Sequence, residues 1–154
     1  MNPAQHTSFV IERHFSAAPA EVFRAWSDPE RKNSWARCHE DGDGGSRMDF
    51  RVGGHDRQHS RREDGGDQWV ETVYLDIVPD RRLAFAYTIV LDGRCISASL
   101  VTIELSPEGD RTLLRLTEQL AYLDGPNDRE MRLHGTREGL DRLALLLEQG
   151  GRAH

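Results

Sequence analysis

The chain has 154 residues, 37% of them hydrophobic and 30% charged, with a formal net charge of −6. A length of this order fits one domain, residues 1–154, able to bury a core without metal or disulfide staples. The acidic balance argues against non-specific nucleic-acid binding, which draws on clustered Lys and Arg, and no stretch approaches the ~20 apolar residues of a membrane span.

In chain order, "SFVIERHFS" alternates Phe9, Ile11 and Phe15 against Glu12 and His14 and predicts a strand. The opening residues have no basic start followed by an apolar run, so they do not read as an export signal. In "AAPAEVFRAWSDPERKNSW", Pro19 suits a first helical turn, and Val22, Phe23 and Trp26 recur at helical spacing. Asp28-Pro29 ends that helix and starts a short second one reaching Trp35. "CHEDGDGGS" is a turn-rich loop. "RMDFRV" alternates again, and Gly53-Gly54 breaks or bulges the strand. Turn signals then separate "QWVETVYLDIV", "LAFAYTIVL", "RCISASLVTIEL" and "RTLLRLTEQL". The last element, from about Asn127 to Gln149, is a helix with Leu133, Leu140, Leu143, Ala144 and Leu147 as its apolar stripe. Asn127-Asp128 reads as its cap, and Gly135 and Gly139 share one face. Cys38 and Cys95 lie far apart and form no CxxC, which predicts a reduced, cytoplasmic protein.

The expected architecture is α+β. A seven-stranded antiparallel sheet curves around the long C-terminal helix, and two short helices lie between the first and second strands. The pieces "APAEVFRAWSDPERKNSW", "MDFRVGG", "YLDIVPDRRLAF", "VTIELSPEGDRTLLRLTE" and "HGTREGLDRLALLLE" carry a resemblance. In this order they resemble the START-like (SRPBCC, birch-pollen-allergen-like) superfamily, and within it the family named for the activator of the heat-shock-protein-90 ATPase. The resemblance implies a helix-grip fold with a cavity between sheet and helix. It implies no chemistry, since family members include ligand binders, cyclase-like enzymes and chaperone-associated domains. This sequence departs from the family pattern at Ala36 and Thr136, where the family often has Trp, and at Asp56, Gln58 and Ser60, which are usually apolar.

Candidate sites follow from strand parity. In "GGHDRQHSRREDGGDQW", Asp56, Gln58 and Ser60 face inward, leaving His55, Arg57, His59 and Arg61 as a solvated face. His55 and His59 on one strand stand ~13 Å apart at ~3.3 Å per residue, too far to share a metal. No metal and no cofactor is expected, since nucleotide-binding motifs are absent and Ser97 and Ser99 sit mid-strand outside any GxSxG. Cys38 beside His39 makes no catalytic pair. Met48, Phe50, Val52, Val73, Leu75, Ile77, Leu83, Phe85, Tyr87, Val101, Ile103, Leu105, Leu114 and Leu116 form the apolar floor. Asp56, Gln58, Trp69, Glu71, Ser97, Ser99 and Glu118 form a polar cluster at its open end. With Trp26, Trp35, Phe50, Tyr87, Gly135 and Gly139 these are the candidate pocket residues. Acids gathered at one cavity raise each other's pKa, a frequent mark of functional sites.

The expected function is non-catalytic binding of a small, partly hydrophobic molecule. Acids on one wall and aromatics on the other suit an amphipathic ligand with a hydrogen-bond donor or cationic end. The alternatives are a cyclase- or hydrolase-like enzyme using Glu118 or Asp56 as general base, and a chaperone-interaction domain using Arg57 and Arg61. A homodimer is compatible with either. No nucleic-acid or membrane partner is expected.

Overall fold

The computed structural model describes residues 3–36, 47–124 and 127–152. The whole turn-rich loop, with Cys38 and His39, therefore lies outside the described residues. Strands are β1 (Gln5–Phe15), β2 (Arg47–Met48), β3 (His55–Arg61), β4 (Asp67–Val78), β5 (Arg82–Leu91), β6 (Arg94–Glu108) and β7 (Arg111–Tyr122). Helices are α1 (Pro19–Ser27), α2 (Pro29–Ala36) and α3 (Arg129–Arg152). All strand pairs are antiparallel, in the order β1-β7-β6-β5-β4-β3-β2. Among the described residues no helix is long and apolar enough to cross a membrane.

Seven strands were expected; the sheet has six full strands, and the seventh, β2, is a two-residue pairing at its edge. The double glycine explains the loss. Gly53 takes φ +84°, and a Cβ on Gly54 would stand 2.0 Å from the Asp49 carbonyl oxygen. The chain folds tightly back on itself there, Gly53 and Gly54 bonding to Tyr74 by backbone. Val52 is left 59% exposed rather than inward. Asp92-Gly93 turns β5 into β6 with φ +50° and +80°, the positive pair a tight hairpin requires.

A β-bulge decides which residues of β4 face the core. Tyr74 opposes Phe85 and Asp76 opposes Ala84, so Leu75 is an extra residue without a partner. Beyond the bulge Ile77 packs on the core; before it Thr72 and Tyr74 do. Parity counted back from Ile77 therefore fails. Leu75 is 47% exposed, and Val73, Glu71 and Trp69 share its side of the strand.

The helices close the concave face. Val22, Phe23, Ala25 and Trp26 form the buried stripe of α1. The Trp35 indole N–H donates to the Ala25 carbonyl at 2.8 Å, and its ring meets Trp26 edge-on at 4.6 Å, binding α2 to α1. The Arg142 guanidinium donates to the Trp35 carbonyl at 2.7 Å, binding α3 to α2. On α3, Leu133, Leu140, Leu143 and Leu147 are buried, as their spacing predicts. The Asp128 carbonyl accepts the first helical N–H, from Arg132, at 2.9 Å.

Candidate functional site

Sheet and helices line a cavity of about 580 Å³ that opens to solvent. Its apolar walls include Trp26, Trp35, Phe85, Val101, Leu116 and Leu140. Of the expected pocket residues, Asp56, Gln58, Tyr87, Glu118, Gly135 and Gly139 also line it. Ser97 and Ser99 are buried beneath it, bonded to Arg132. Phe50 packs on Tyr74, with ring centres 4.9 Å apart, away from the cavity wall. Trp69 and Glu71 stand on the other face of the sheet, a consequence of the bulge. Glu71 pairs with Arg57 at 3.0 Å, and the Arg57 guanidinium lies 4.4 Å over the Trp69 ring. Gln68, Val70 and Thr72 take the cavity positions on β4 instead.

Two of the three expected acids thus face inward, each opposed by a cation from a helix, and Asp128 also lines the cavity, 3.9 Å from Arg132. Asp56, on β3, is 4% exposed, and its Oδ2 lies 3.9 Å from Lys32 Nζ on α2. The Lys32 ammonium sits 5.7 Å from the Tyr74 ring centre and 5.6 Å from that of Phe85. Burial pulls the Lys32 pKa down, with Asp56 opposing; burial pushes Asp56 up, with Lys32 opposing. Burial and the Asp56 charge also push the Tyr74 hydroxyl up.

At the second acid, Glu118 on β7 is 2% exposed and accepts the Tyr87 hydroxyl proton at 2.6 Å. Arg132 of α3 lies 3.7 Å from Glu118, and donates to Ser97 at 3.1 Å, Tyr87 at 3.3 Å and Ser99 at 3.4 Å. Burial alone would lower the Arg132 pKa, but Tyr87, Glu118 and Asp128 outweigh it and raise it. Tyr87 is pushed up by burial and the Glu118 charge, and Tyr122 is pushed up to about 12, mainly by burial. Sequence reasoning finds both acids and neither cation. Lys32 is the only lysine of the chain, which otherwise uses arginine. It falls on the same helix as Trp35, a candidate pocket residue, and that is the available signal. Arg132 falls one residue before Leu133 of the apolar stripe, where helical geometry brings its stem to the cavity edge.

Among the described residues no three His, Cys, Asp or Glu side chains stand together as a metal site. Of the two β3 histidines expected on a solvated face, His55 is exposed, whereas the His59 side chain is only 13% exposed: it meets Asp67 at 3.0 Å and stacks on Trp69 at 4.5 Å.

Comparison with known proteins places this geometry in a family. An uncharacterised protein of Rhizobium leguminosarum is 43% identical, with a TM-score of 0.90 over 96% of this chain and 97% of that one. The Mll3558 protein of Rhizobium loti is 38% identical, with a TM-score of 0.86 over 94% and 99%. A Staphylococcus aureus protein of unknown function, SA2116, shares the fold at 15% identity, with a TM-score of 0.77 over 97% and 98%. A search of curated proteins found no match. The family model described as "Activator of Hsp90 ATPase homolog 1-like protein" matches residues 16–149. That span takes in every cavity residue described above, and the chain belongs to this family.

Proposed function

We propose that the chain binds a small, partly hydrophobic molecule in the cavity between the sheet and α3. The observation that carries this reading is the cavity itself. Its volume of about 580 Å³ falls within the ~300–1,000 Å³ usual for ligand pockets. Its walls combine aromatic and aliphatic surface with a few buried polar groups, the composition such pockets need for affinity and orientation. A general-base role for Glu118 has weaker support, because Tyr87 and Arg132 already engage its carboxylate. The interaction-surface reading is weakened in the same way, since Glu71 and Trp69 hold Arg57.

The test uses butylbenzene as an apolar probe and Gly135→Trp as a blocked cavity. Gly135 lines the cavity, and a Cβ there meets nothing within 4 Å, so a large side chain can enter the void without displacing the helix. The native protein binds butylbenzene in titration calorimetry, and Gly135→Trp, with its thermal transition retained, does not. Equal binding by a folded Gly135→Trp variant overturns the reading, as does the absence of binding to the native protein.

A further inference from the structure

The cavity wall formed by α1, α2 and β3 carries polar groups that the fold leaves unused. The Trp26 indole N–H is buried and has no hydrogen-bond partner among the described residues. Trp35, its neighbour, shows the contrast, since its N–H is satisfied by the Ala25 carbonyl. Oδ1 of Asp56 is likewise buried without a partner, although the residue is 4% exposed. Its other oxygen reaches Lys32 only at ion-pair distance, 3.9 Å. The Tyr74 hydroxyl approaches the Asp56 carboxylate closely enough to help hold its pKa down, the smallest of the three effects on it, but makes no bond that satisfies Oδ1. Tyr74 does not line the cavity, whereas Trp26, Lys32 and Asp56 do. A buried donor or acceptor left unpaired destabilises a fold, and native structures hold few of them. Two of opposite sense, on residues that line one cavity, are each open to a further partner.

We infer that this wall is a polar subsite for an uncharged head group that both accepts and donates a hydrogen bond, a primary amide or a hydroxyl, on an apolar body. The inference rests on the binding reading above and names its ligand class. The head accepts from Trp26 Nε1 and donates to Asp56 Oδ1. Charge selects the class. A ligand carboxylate would add a second anion beside Asp56 and offer Oδ1 no proton. A ligand ammonium would stand against Lys32 and could not accept from the indole. The cationic ligand that the acidic residues suggest in sequence loses its basis here, because Lys32 and Arg132 already balance Asp56 and Glu118. A neutral head can bond to the wall while the Lys32–Asp56 pair stays intact.

Four ligands on one body test this: butylbenzene, 4-butylbenzamide, 4-butylbenzoate and 4-butylbenzylamine, titrated at neutral pH. The amide binds most tightly. Benzoate and benzylamine bind at least about tenfold more weakly than it, as expected when a buried charge meets an unfavourable partner. Trp26→Phe keeps an aromatic ring and removes the N–H, which bonds to nothing in the protein; the smaller ring costs some packing, and affinities are compared with the variant folded. It lowers the ratio of amide to butylbenzene affinity by roughly three- to tenfold, the usual worth of one hydrogen bond. Equal affinity of amide and butylbenzene, tighter binding of benzoate or benzylamine than of amide, or an unaltered ratio of amide to butylbenzene affinity in Trp26→Phe overturns the subsite while leaving the cavity reading intact. Failure of all four ligands overturns both.

Discussion

Removing Asp56 alone should damage the fold far more than removing both members of its ion pair. Coulomb attraction at 3.9 Å amounts to about 4 kcal/mol at an effective dielectric near 20. The side chains of Lys32 and Asp56 are 11% and 5% exposed, so each charge also gives up several kcal/mol of hydration. The two effects nearly cancel, and the intact pair adds little stability. Asp56→Leu keeps the hydration loss of Lys32 and discards the attraction, which costs about 3–5 kcal/mol. For a chain of this size that lowers the melting temperature by roughly 6–20 °C. Lys32→Met with Asp56→Leu removes both terms and should melt within about 3 °C of the native protein, or above it. Calorimetry of the three proteins decides the matter, and a double variant as unstable as the single one refutes the reasoning.

Arg132→Leu leaves Glu118, 2% exposed, without its cation and should cost about 3–5 kcal/mol in urea unfolding, with Arg132→Lys recovering part of the loss. Gly135→Ala should raise stability by about 0.5–1 kcal/mol, because the helix interior gains a better helix former and the new Cβ meets nothing within 4 Å. Glu71→Ala should change stability by no more than about 1 kcal/mol and leave ligand affinity unaltered, since its partner Arg57 is a half-exposed surface group; loss of butylbenzamide binding would put Glu71 back in the cavity.

Much of this architecture was legible because each element repeats its own period. The α3 stripe of Leu133, Leu140, Leu143 and Leu147 is buried as spaced, and so are the alternating residues of β6 and β7 from Ser97 to Leu105 and Leu114 to Glu118. Parity failed where the backbone gains or loses a residue, which alternation cannot register. Leu75 is apolar and in phase with Val73 and Ile77, yet it is the bulge, and it sends Trp69 and Glu71 to the outer face. Phe50 and Val52 followed a strand pattern that the Gly53-Gly54 fold-back cuts short. The cations were harder to see, because a charged residue on a short helix normally reads as solvated surface. Only packing puts Lys32 under the rings of Tyr74 and Phe85.

That placement divides the labour between the layers in a way that bears on ligand choice. The sheet supplies the inward acids, Asp56 on β3 and Glu118 on β7, and the helices supply the opposing cations, Lys32 on α2 and Arg132 on α3. Each pair bridges the cavity's two walls, so a charged ligand that competed for either member would strand the other in a low-dielectric space. The Glu118 pair is closed to competition by further bonds from Tyr87, Ser97 and Ser99. The Asp56 pair has weaker reinforcement, from Tyr74 alone; it keeps one oxygen unbonded, and the indole N–H of Trp26, another residue of the same cavity, is also unbonded. Unbonded groups stand at both ends, Asp128 Oδ1 and the Tyr122 hydroxyl lying beside Arg132, but among the described residues only the α1–α2 end sets both a spare donor and a spare acceptor on cavity-lining residues, and there a polar ligand group gains most by docking.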